Sequence, residues 1–503
     1  MSTARRQSRK VSRFALRENR DADGSVRFSG GAFGSAALVL AALVPVLLIG
    51  TIPDSGRSDA WPVTLSILLW AGFRLAWLFG RGQRRLFEFT WWLFVYVFMG
   101  LAPTVQLRSG LLPGTTPGVS PGLDLATALL VAAGIASFEI GAWFGRLRRS
   151  GSEGREFDSV PVSMRKATVL ALVGIGLSIF LISQTGLANL FTSRSSSAVA
   201  RSAVFSSSST LSIVNSIAIW GSLIAVHSLT WGRRQMRNAG IRPTHIVILV
   251  VTLAILLVFK NPISSARYTF GVIAMSLLVL MGAFATARRT RISMAGVIFA
   301  LFGIFPIADA FRRDEATFAR RSFFAEYGAN ADYDAFAQIS NSIFYVQQQG
   351  IDIGNQFLGV LFFWVPRQIW PGKPEDTGSV LAEFRGYRFQ NLSAPLWAEF
   401  YINGGLLLLI VGMLFLGYWM IHLDKRLEFA FQAGGLWCIA GAVLPFYMIL
   451  VLRGSLLQAT SDLVVMILLL WYVNGRAEQR KHPLRFGIAP TDRALVRPTG
   501  RFR

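Results

Sequence analysis

Long apolar stretches alternate with polar links along most of this chain of 503 residues. A helix needs about 20 predominantly apolar residues to cross the hydrocarbon core of a bilayer. The pattern predicts twelve spans, at residues 34–52, 61–80, 87–107, 123–145, 167–185, 211–231, 244–258, 268–286, 292–309, 400–421, 434–452 and 456–474. We therefore expect an all-α polytopic membrane protein with about 12 transmembrane helices.

One large polar loop, residues 310–399, interrupts this pattern before the tenth span. Its apolar residues between 333 and 346 are spaced as on an amphipathic helix, which we expect to lie at the membrane surface. Residues 357–365 are strongly apolar but too short to span, which favours a re-entrant or interfacial segment. Pro366, Pro371 and Pro374 follow, and they predict an extended, rigid path that holds Arg367 and Lys373 in place.

The distribution of charged residues along the chain predicts its membrane topology. The chain is 53% hydrophobic and 15% charged, which excludes a soluble globular protein. Its net charge of +23 is concentrated in the tails, 1–33 and 475–503, and in alternate connections. This positive-inside pattern predicts that both termini are cytoplasmic and that the 310–399 loop is external. Since the charge marks topology, nucleic acid is not an expected partner.

Several types of chemistry are not expected outside the membrane. The single cysteine, Cys438, lies within a span, so no internal disulfide or cysteine-based metal cluster can form. The four histidines all fall on or near the cytoplasmic side of the predicted topology. The sequence also lacks a nucleotide-binding glycine loop. We therefore expect neither a cofactor nor a metal at an external site.

Four external cations are the main functional signal. Arg267, Arg367 and Arg453 adjoin predicted membrane boundaries, and Lys373 follows Arg367 in the large loop. The planar guanidinium of arginine binds phosphate in a bidentate manner, through two parallel N–H···O hydrogen bonds, and stays charged at any relevant pH. Positive residues outside also run against the topological bias, which favours an anionic ligand. A solvated loop face, or attraction to anionic lipid headgroups, would give the same pattern.

Carboxylates and aromatic residues accompany these cations. Asp332 and Asp334 form a D-x-D triplet with Tyr333, an arrangement that holds a divalent metal in soluble sugar-nucleotide transferases and more often marks a helix N-terminus. Glu399 stands at the mouth of the tenth span, and either Glu399 or Asp334 is a candidate general base. Trp364, Trp370 and Tyr401 are candidates to stack on sugar rings or to anchor the loop at the interface.

On the inner side of the membrane, the sequence predicts one structural ion pair. Arg74 and Glu139 fall in the inner halves of two different spans. Ionisable groups are expensive within a bilayer unless they are paired, so we expect these two to contact each other.

The stretch from residue 364 to 374 reads WVPRQIWPGKP, Ser393 follows, and residues 399–405 read EFYINGG. This combination resembles the Wzy-type O-antigen polymerases, a family of oligosaccharide repeat unit polymerases. Arg267 at the start of a span and Arg453-Gly454 in the last turn also resemble arginines of that family. The resemblance implies a GT-C-like helical fold in the bacterial cytoplasmic (inner) membrane.

The resemblance also implies a reaction and a set of roles. Such enzymes join polyprenyl-diphosphate-linked oligosaccharides on the outer face of the membrane, beside a flippase and a chain-length regulator. Arg267, Arg367 and Arg453, assisted by Lys373, would bind the diphosphate, where guanidinium groups stabilise the charge of the leaving group. Glu399 or Asp334 would act on the acceptor hydroxyl.

Two other functions stay open. The first is a glycan ligase or another lipid-linked sugar transferase. The ligases use an external histidine, which the predicted topology does not provide here. Lipid-phospho-sugar mannosyltransferases place an acidic pair in a substantial first external loop, whereas Asp54 and Asp59 lie in a short link. The second is a flippase or another transporter. Transporters place polar groups near the midplane of the membrane, whereas most of the charge that does not set topology here lies in external loops.

Overall fold

The computed structural model describes residues 28–147, 160–191, 208–235, 243–262, 265–304, 323–390 and 392–476. Over these residues the chain is helical, and the one β-bridge among them pairs Val162 with Asn474. The helices before the large loop are α1 Gly30–Thr51, α2 Trp61–Arg81, α3 Leu86–Ser109, α4 Pro121–Leu147, α5 Met164–Thr185, α6 Leu211–Gly232, α7 Pro243–Phe259, α8 Arg267–Leu280 and α9 Ala287–Phe299, which continues as a π-helical turn, Ala300–Ile304.

The described part of the loop contains four shorter α-helices, and three long ones follow it. The loop helices are α10 Ala325–Ala329, α11 Ala335–Gln349, α12 Asn355–Leu361 and α13 Thr377–Phe384. The long helices are α14 Leu396–Ala433, α15 Leu436–Arg453 and α16 Leu456–Tyr472.

The hydrophobic pattern predicted where helices form. Each of the twelve predicted windows coincides with a helix, although residues 305–309 of the ninth lie outside the described part. Among the described residues, eight helices are long and apolar enough to cross a membrane, and α7, α8 and α16 are shorter apolar helices. The chain is therefore an all-helical, multi-pass membrane protein in contact with the lipid bilayer. The number of twelve spans stays a prediction.

Helix α11 coincides with the predicted amphipathic helix, and its first part is enclosed by the protein; its position relative to the membrane stays a prediction. Residues 335–343 are buried on every face, including Gln338, Ser340, Asn341 and Ser342. Polar groups inside a protein need partners. The Ser342 hydroxyl donates to the backbone carbonyl of Ile339 at 2.6 Å, and the side-chain amide oxygen of Asn341 accepts from the Tyr387 hydroxyl at 3.3 Å. The periodic apolar stripe therefore packs inside the protein.

A buried ion network ties α2, α3 and α4 together and confirms the predicted pair. Arg74 Nε lies 2.6 Å from Glu139 Oε1, and Arg74 Nη2 lies 3.0 Å from Glu88 Oε1. Arg146 bridges the same two glutamates at 2.8 and 3.3 Å. Asp424 of α14 accepts the backbone N–H groups of residues 87 and 88, which caps the first turn of α3. These contacts join four helices, α2, α3, α4 and α14.

Helix α14 is broken near its start at Gly404 and Gly405. Gly405 has φ +62° and ψ −155°, a conformation that is essentially restricted to glycine. The break frees the carbonyls of Ile402 and Asn403, which accept the N–H groups of Asp352 and Gly354 at 3.0 Å each. The first turns of α14, which carry Glu399, are thereby joined to the large loop.

The chain forms two compact units. One contains residues 1–155, 265–429 and 441–463, and the other contains residues 156–264, 430–440 and 464–503. In the second unit α5, α6 and α7 pack on one another. The candidate site described next lies entirely in the first unit.

Candidate functional site

Two arginines from distant parts of the chain meet two aspartates of the large loop. Arg267 is the first residue of α8 and Arg453 is the last residue of α15. Arg267 Nη1 lies 3.1 Å from Asp332 Oδ2, and Arg453 Nη2 lies 3.8 Å from Asp332 Oδ1 and 3.3 Å from Asp334 Oδ1. We call these four residues the arginine–aspartate cluster. If all four are ionised, their formal charges cancel.

The helix ends explain why the cluster forms where it does. A cation at a helix N-terminus is disfavoured by the helix dipole, and Asp332 offsets that cost for Arg267. Two further contacts hold Arg453 in place. Its Nε donates to the carbonyl of Asp332 at 3.0 Å, and its guanidinium carbon lies 4.9 Å from the ring centre of Tyr268. Cation–π contact and hydrogen bonding together fix its orientation.

The two aspartates differ in exposure. The side chain of Asp334 is 3% exposed, whereas that of Asp332 is 26% exposed and Arg267 and Arg453 are 15% and 17% exposed. Burial raises the pKa of Asp334, although Arg453 and the bonds from Ser393 act in the opposite direction. A ligand in solvent can therefore reach Asp332 and, to a smaller extent, the two arginines, whereas Asp334 is buried.

The end of the large loop is fixed to the cluster by backbone bonds. The N–H of Ser393 donates to Asp334 Oδ2 at 3.1 Å, and the N–H of Ala394 donates to the carbonyl of Arg453 at 3.1 Å. At the other side, the Gln106 amide of α3 donates to the carbonyls of Tyr327 and Tyr333 at 3.2 and 2.8 Å. The D-x-D triplet is thus held between α3 and the turn that joins α15 to α16.

Glu399 is buried and joins three helices. Its Oε1 accepts the N–H of Leu456 at 2.8 Å, and its Oε2 accepts the hydroxyl proton of Thr377 at 2.8 Å. Leu456 is the first residue of α16 and Thr377 the first residue of α13. A carboxylate at a helix N-terminus satisfies free N–H groups and complements the dipole. Glu399 therefore braces α13 and α16 against α14.

Arg367 and Lys373 make their contacts within their own segment. Arg367 Nη1 donates to the carbonyl of Lys373 at 2.9 Å, and its Nη2 lies 3.7 Å from Glu375, both side chains being about half exposed. The Lys373 ammonium donates to the carbonyls of Phe363 and Val365 at 2.5 and 3.0 Å. Burial lowers the pKa of Lys373, and the neighbouring Arg367 lowers it further. These contacts brace the loop.

The proline-rich stretch forms turns and corrects the extended path that the sequence predicted. The N–H groups of Ile369 and Trp370 both donate to the carbonyl of Pro366, at 3.0 and 3.1 Å, and that of Lys373 donates to the carbonyl of Trp370 at 3.1 Å. Proline presets the backbone for position i+1 of a turn, the position that Pro371 occupies between Trp370 and Lys373.

The three candidate aromatic residues occupy different environments. Trp364 is 63% exposed, and both Trp364 and Trp370 stand edge-on to Phe362, with ring centres 6.5 and 6.4 Å apart. Tyr401 is half-buried on the short first part of α14. The two tryptophans belong to the 362–375 segment, and Tyr401 lies two residues after Glu399.

Sequence reasoning undervalued Asp332 and missed Tyr268. Asp332 contacts both arginines, whereas the sequence indicated Asp334, and not Asp332, as a candidate base. Tyr268 directly follows Arg267, and its hydroxyl lies 3.5 Å from the carbonyl of Asp332 as a donor. Across the described residues, no group of three or more His, Cys, Asp or Glu side chains is arranged to hold a metal ion.

Comparison with known proteins gives no match: no protein-family model, no curated protein and no solved structure is significantly similar to this chain.

Proposed function

We propose that this protein is a membrane glycosyltransferase that polymerises polyprenyl-diphosphate-linked oligosaccharide repeat units. The observation that carries the proposal is the meeting of Arg267 and Arg453 on Asp332 at a partly exposed position. Two guanidinium groups held by packing and hydrogen bonds suit the two phosphates of a lipid-linked sugar. The resemblance around residues 364–374 and 399–405 supports the same class.

In the proposed reaction, one glycosidic bond replaces a bond to phosphate. The anomeric carbon of the growing chain forms a bond to a hydroxyl oxygen of the incoming repeat unit. Its bond to the diphosphate oxygen breaks, and the electron pair leaves with polyprenyl diphosphate. The hydroxyl proton passes to solvent water. No nucleotide is consumed, because the donor carries its own leaving group.

The arginines would act on the leaving group. Negative charge grows on the bridging oxygen as the bond breaks, and preorganised cations in a site of low dielectric stabilise that charge most in the transition state. Asp332 is the carboxylate of the cluster that a ligand can reach, so we assign to it the orientation of the acceptor hydroxyl. Asp334 and Glu399 then act as positioning residues, since their oxygens accept bonds from Ser393, Leu456 and Thr377.

The proposal includes an orientation and partners. Both termini would be cytoplasmic and the large loop external, in the bacterial cytoplasmic membrane, within a GT-C-like arrangement of about twelve spans. The donor and acceptor would be the same class of lipid-linked oligosaccharide, delivered by a flippase, with a chain-length regulator setting the extent of polymerisation. Arg367 and Lys373 would support the loop above this site.

Deletion of the gene in its host tests the function. We expect surface glycan that stops at a single repeat unit, restored to long chains by the wild-type gene. Unchanged long chains in the deletion strain would refute the proposal. Loss of all surface glycan, with lipid-linked repeats accumulating inside the cell, would favour a flippase.

A further inference from the structure

Residues 351–369 of the large loop present an apolar surface to their surroundings. Ile353, Leu361 and Ile369 are 89%, 68% and 77% exposed. We call these three residues, together with the exposed Ile351, Leu358 and Phe362, the loop apolar surface. Single exposed apolar residues are common on proteins, whereas a concentration of them marks a surface that contacts another protein or a membrane.

Helix α12 turns its apolar face outward. Leu358 and Leu361 are three residues apart, so they share one face of the helix, and this face is exposed. Gln356 and Gly359 share the opposite face and are buried. A helix at a water-exposed surface has the reverse arrangement, with its leucines inside and its glutamine outside. The outward face of α12 therefore suits apolar surroundings.

Ile353 is held outward by an unusual backbone conformation. Its φ is +47°, in the left-handed region that a β-branched residue adopts only at a cost. Its neighbours fix this turn, because the N–H groups of Asp352 and Gly354 donate to the carbonyls of Ile402 and Asn403. The fold thus retains a strained isoleucine whose side chain contacts little of the protein.

The loop apolar surface continues into the exposed side of α14. Leu406 and Leu407 directly follow the break in α14 and are 50% and 75% exposed. They belong to a helix that is long and apolar enough to span a membrane, so their exposed side chains meet lipid. The side chain of Ile351 lies against Gly405, since a Cβ built on that glycine would be 3.0 Å from Ile351 Cδ1. The loop and the lipid-facing side of α14 therefore adjoin.

Polar and aromatic side chains accompany the apolar surface. Arg367 and Glu375 are about half exposed, and Trp364 is exposed as well. Tryptophan and the long side chain of arginine are typical of the headgroup level, where an apolar body meets lipid and a polar end meets water. The segment therefore has the composition of an element that lies in a membrane interface.

We propose that the loop apolar surface inserts into the bilayer beside the start of α14, with Trp364 and Arg367 at the level of the headgroups. Its continuity with Leu406 and Leu407 selects the bilayer as the occupant, because lipid that covers these leucines also reaches Ile351 and its neighbours. The inserted surface extends the interfacial segment that the sequence predicts at residues 357–365. The proposal is independent of the reaction proposed above.

Spin labels on single cysteines distinguish a side chain in lipid from one in water. Cys438, the single cysteine, is buried and would be replaced by alanine. Ile353→Cys and Leu361→Cys carry the test labels, and either site suffices if the other variant does not fold. Gln348→Cys is the matched control, since Gln348 is exposed near the end of α11. Leu407→Cys supplies the value for a side chain that faces lipid.

Electron paramagnetic resonance of the full chain in nanodiscs measures how often each label collides with oxygen, which concentrates in lipid, and with a water-soluble nickel complex. We expect the oxygen-to-nickel ratio at residues 353 and 361 to be about tenfold above that at residue 348 and close to that at residue 407, because hydrocarbon excludes the polar complex. A ratio at either residue equal to that at residue 348 would overturn the proposal. Protection from both reagents would also overturn it, because protein, such as a second copy of this chain, would then cover the surface.

Discussion

Arg453 and Asp334 form a buried ion pair, with Nη2 of the arginine 3.3 Å from Oδ1 of the aspartate. The N–H of Ser393 donates a hydrogen bond to the other carboxylate oxygen, Oδ2. The pair links the end of α15 to the start of α11 and to the end of the large loop. It leaves the outer edge of Arg453 beside Asp332 and Arg267. The geometry therefore separates an inner pair that holds the site together from an outer pair that a ligand can reach.

The arginines of the cluster should matter far more than the arginine of the loop motif. Arg453→Ala and Arg267→Ala should each lower the polymerisation rate by about two orders of magnitude, because each removes a cation from the leaving group. Arg367→Ala is the control, since Arg367 is half exposed and bonded to Lys373 and Glu375. Rates of lipid-linked repeat consumption, normalised to protein in the membrane, measure the difference. An Arg367 variant as inactive as the Arg453 variant would contradict the assignment.

Substitution of Asp332 should affect catalysis, whereas substitution of Asp334 should affect stability. Asp332→Asn should lower kcat with a small change in KM, because the acceptor hydroxyl loses its partner while the fold persists. Asp334→Ala should lower the free energy of unfolding by about 3–5 kcal/mol, since it leaves Arg453 without its buried carboxylate. Thermal unfolding and steady-state kinetics on the same preparations separate the two effects. The reverse pattern would make Asp334 the residue that meets substrate.

Glu399 should tolerate an amide. In Glu399→Gln the remaining carbonyl oxygen can still accept the N–H of Leu456, and the Thr377 hydroxyl can rotate to accept from the new amide. We expect activity to remain within about tenfold of wild type, whereas Glu399→Ala should destabilise the protein. If the glutamine variant folds normally yet is inactive, Glu399 takes part in the chemistry as a base.

The helices could be predicted from the sequence because the pattern of apolar residues that indicates a helix is local. Each apolar window reports on its own twenty or so residues, and each coincides with a helix. The packing of α11 could not be predicted from the pattern, because an apolar stripe looks the same whether it faces lipid or protein. Only tertiary contacts reveal that Asn341 and Ser342 are also buried.

The site could be predicted in part. Arg267 and Arg453 stood out because they adjoin predicted membrane boundaries, and the structure brings them together. Their partners could not be inferred, since Asp332 and Asp334 are 65 and 119 residues away from the arginines they bind. Arg367 stood out for the same sequence reason as the other two, yet its visible contacts are with Lys373 and Glu375.

The pH dependence of stability should contain a contribution from Asp334. Burial raises the pKa of Asp334 above that of the unfolded chain. Such a group contributes stability that is fully present below the unfolded pKa, about 3.9, and is lost as the pH rises through the folded pKa. Wild type should therefore lose stability relative to Asp334→Asn as the pH rises through this window. A constant difference between their melting temperatures from pH 4 to 8 would exclude the shift.

Gly405 should resist substitution because of its backbone. Gly405→Ala forces a side chain into the φ +62°, ψ −155° region and brings its Cβ to 3.0 Å from Ile351 Cδ1. We expect a loss of about 1–3 kcal/mol in the free energy of unfolding. Gly176→Ala is the control, since Gly176 lies in α5 with nothing within 4 Å of the added Cβ. Thermal unfolding in detergent compares the two, and equal effects would show that the break in α14 is not needed.

The proposed role of Arg267 and Arg453 is to serve a polymerase that joins lipid-linked repeat units. The most direct test incubates the purified protein in nanodiscs with a labelled polyprenyl-diphosphate-linked repeat unit and resolves the products by size. We expect a ladder of products spaced by one repeat unit, no nucleotide requirement, and loss of the ladder in Arg453→Ala. A single addition, or no covalent product from a folded protein, would contradict it.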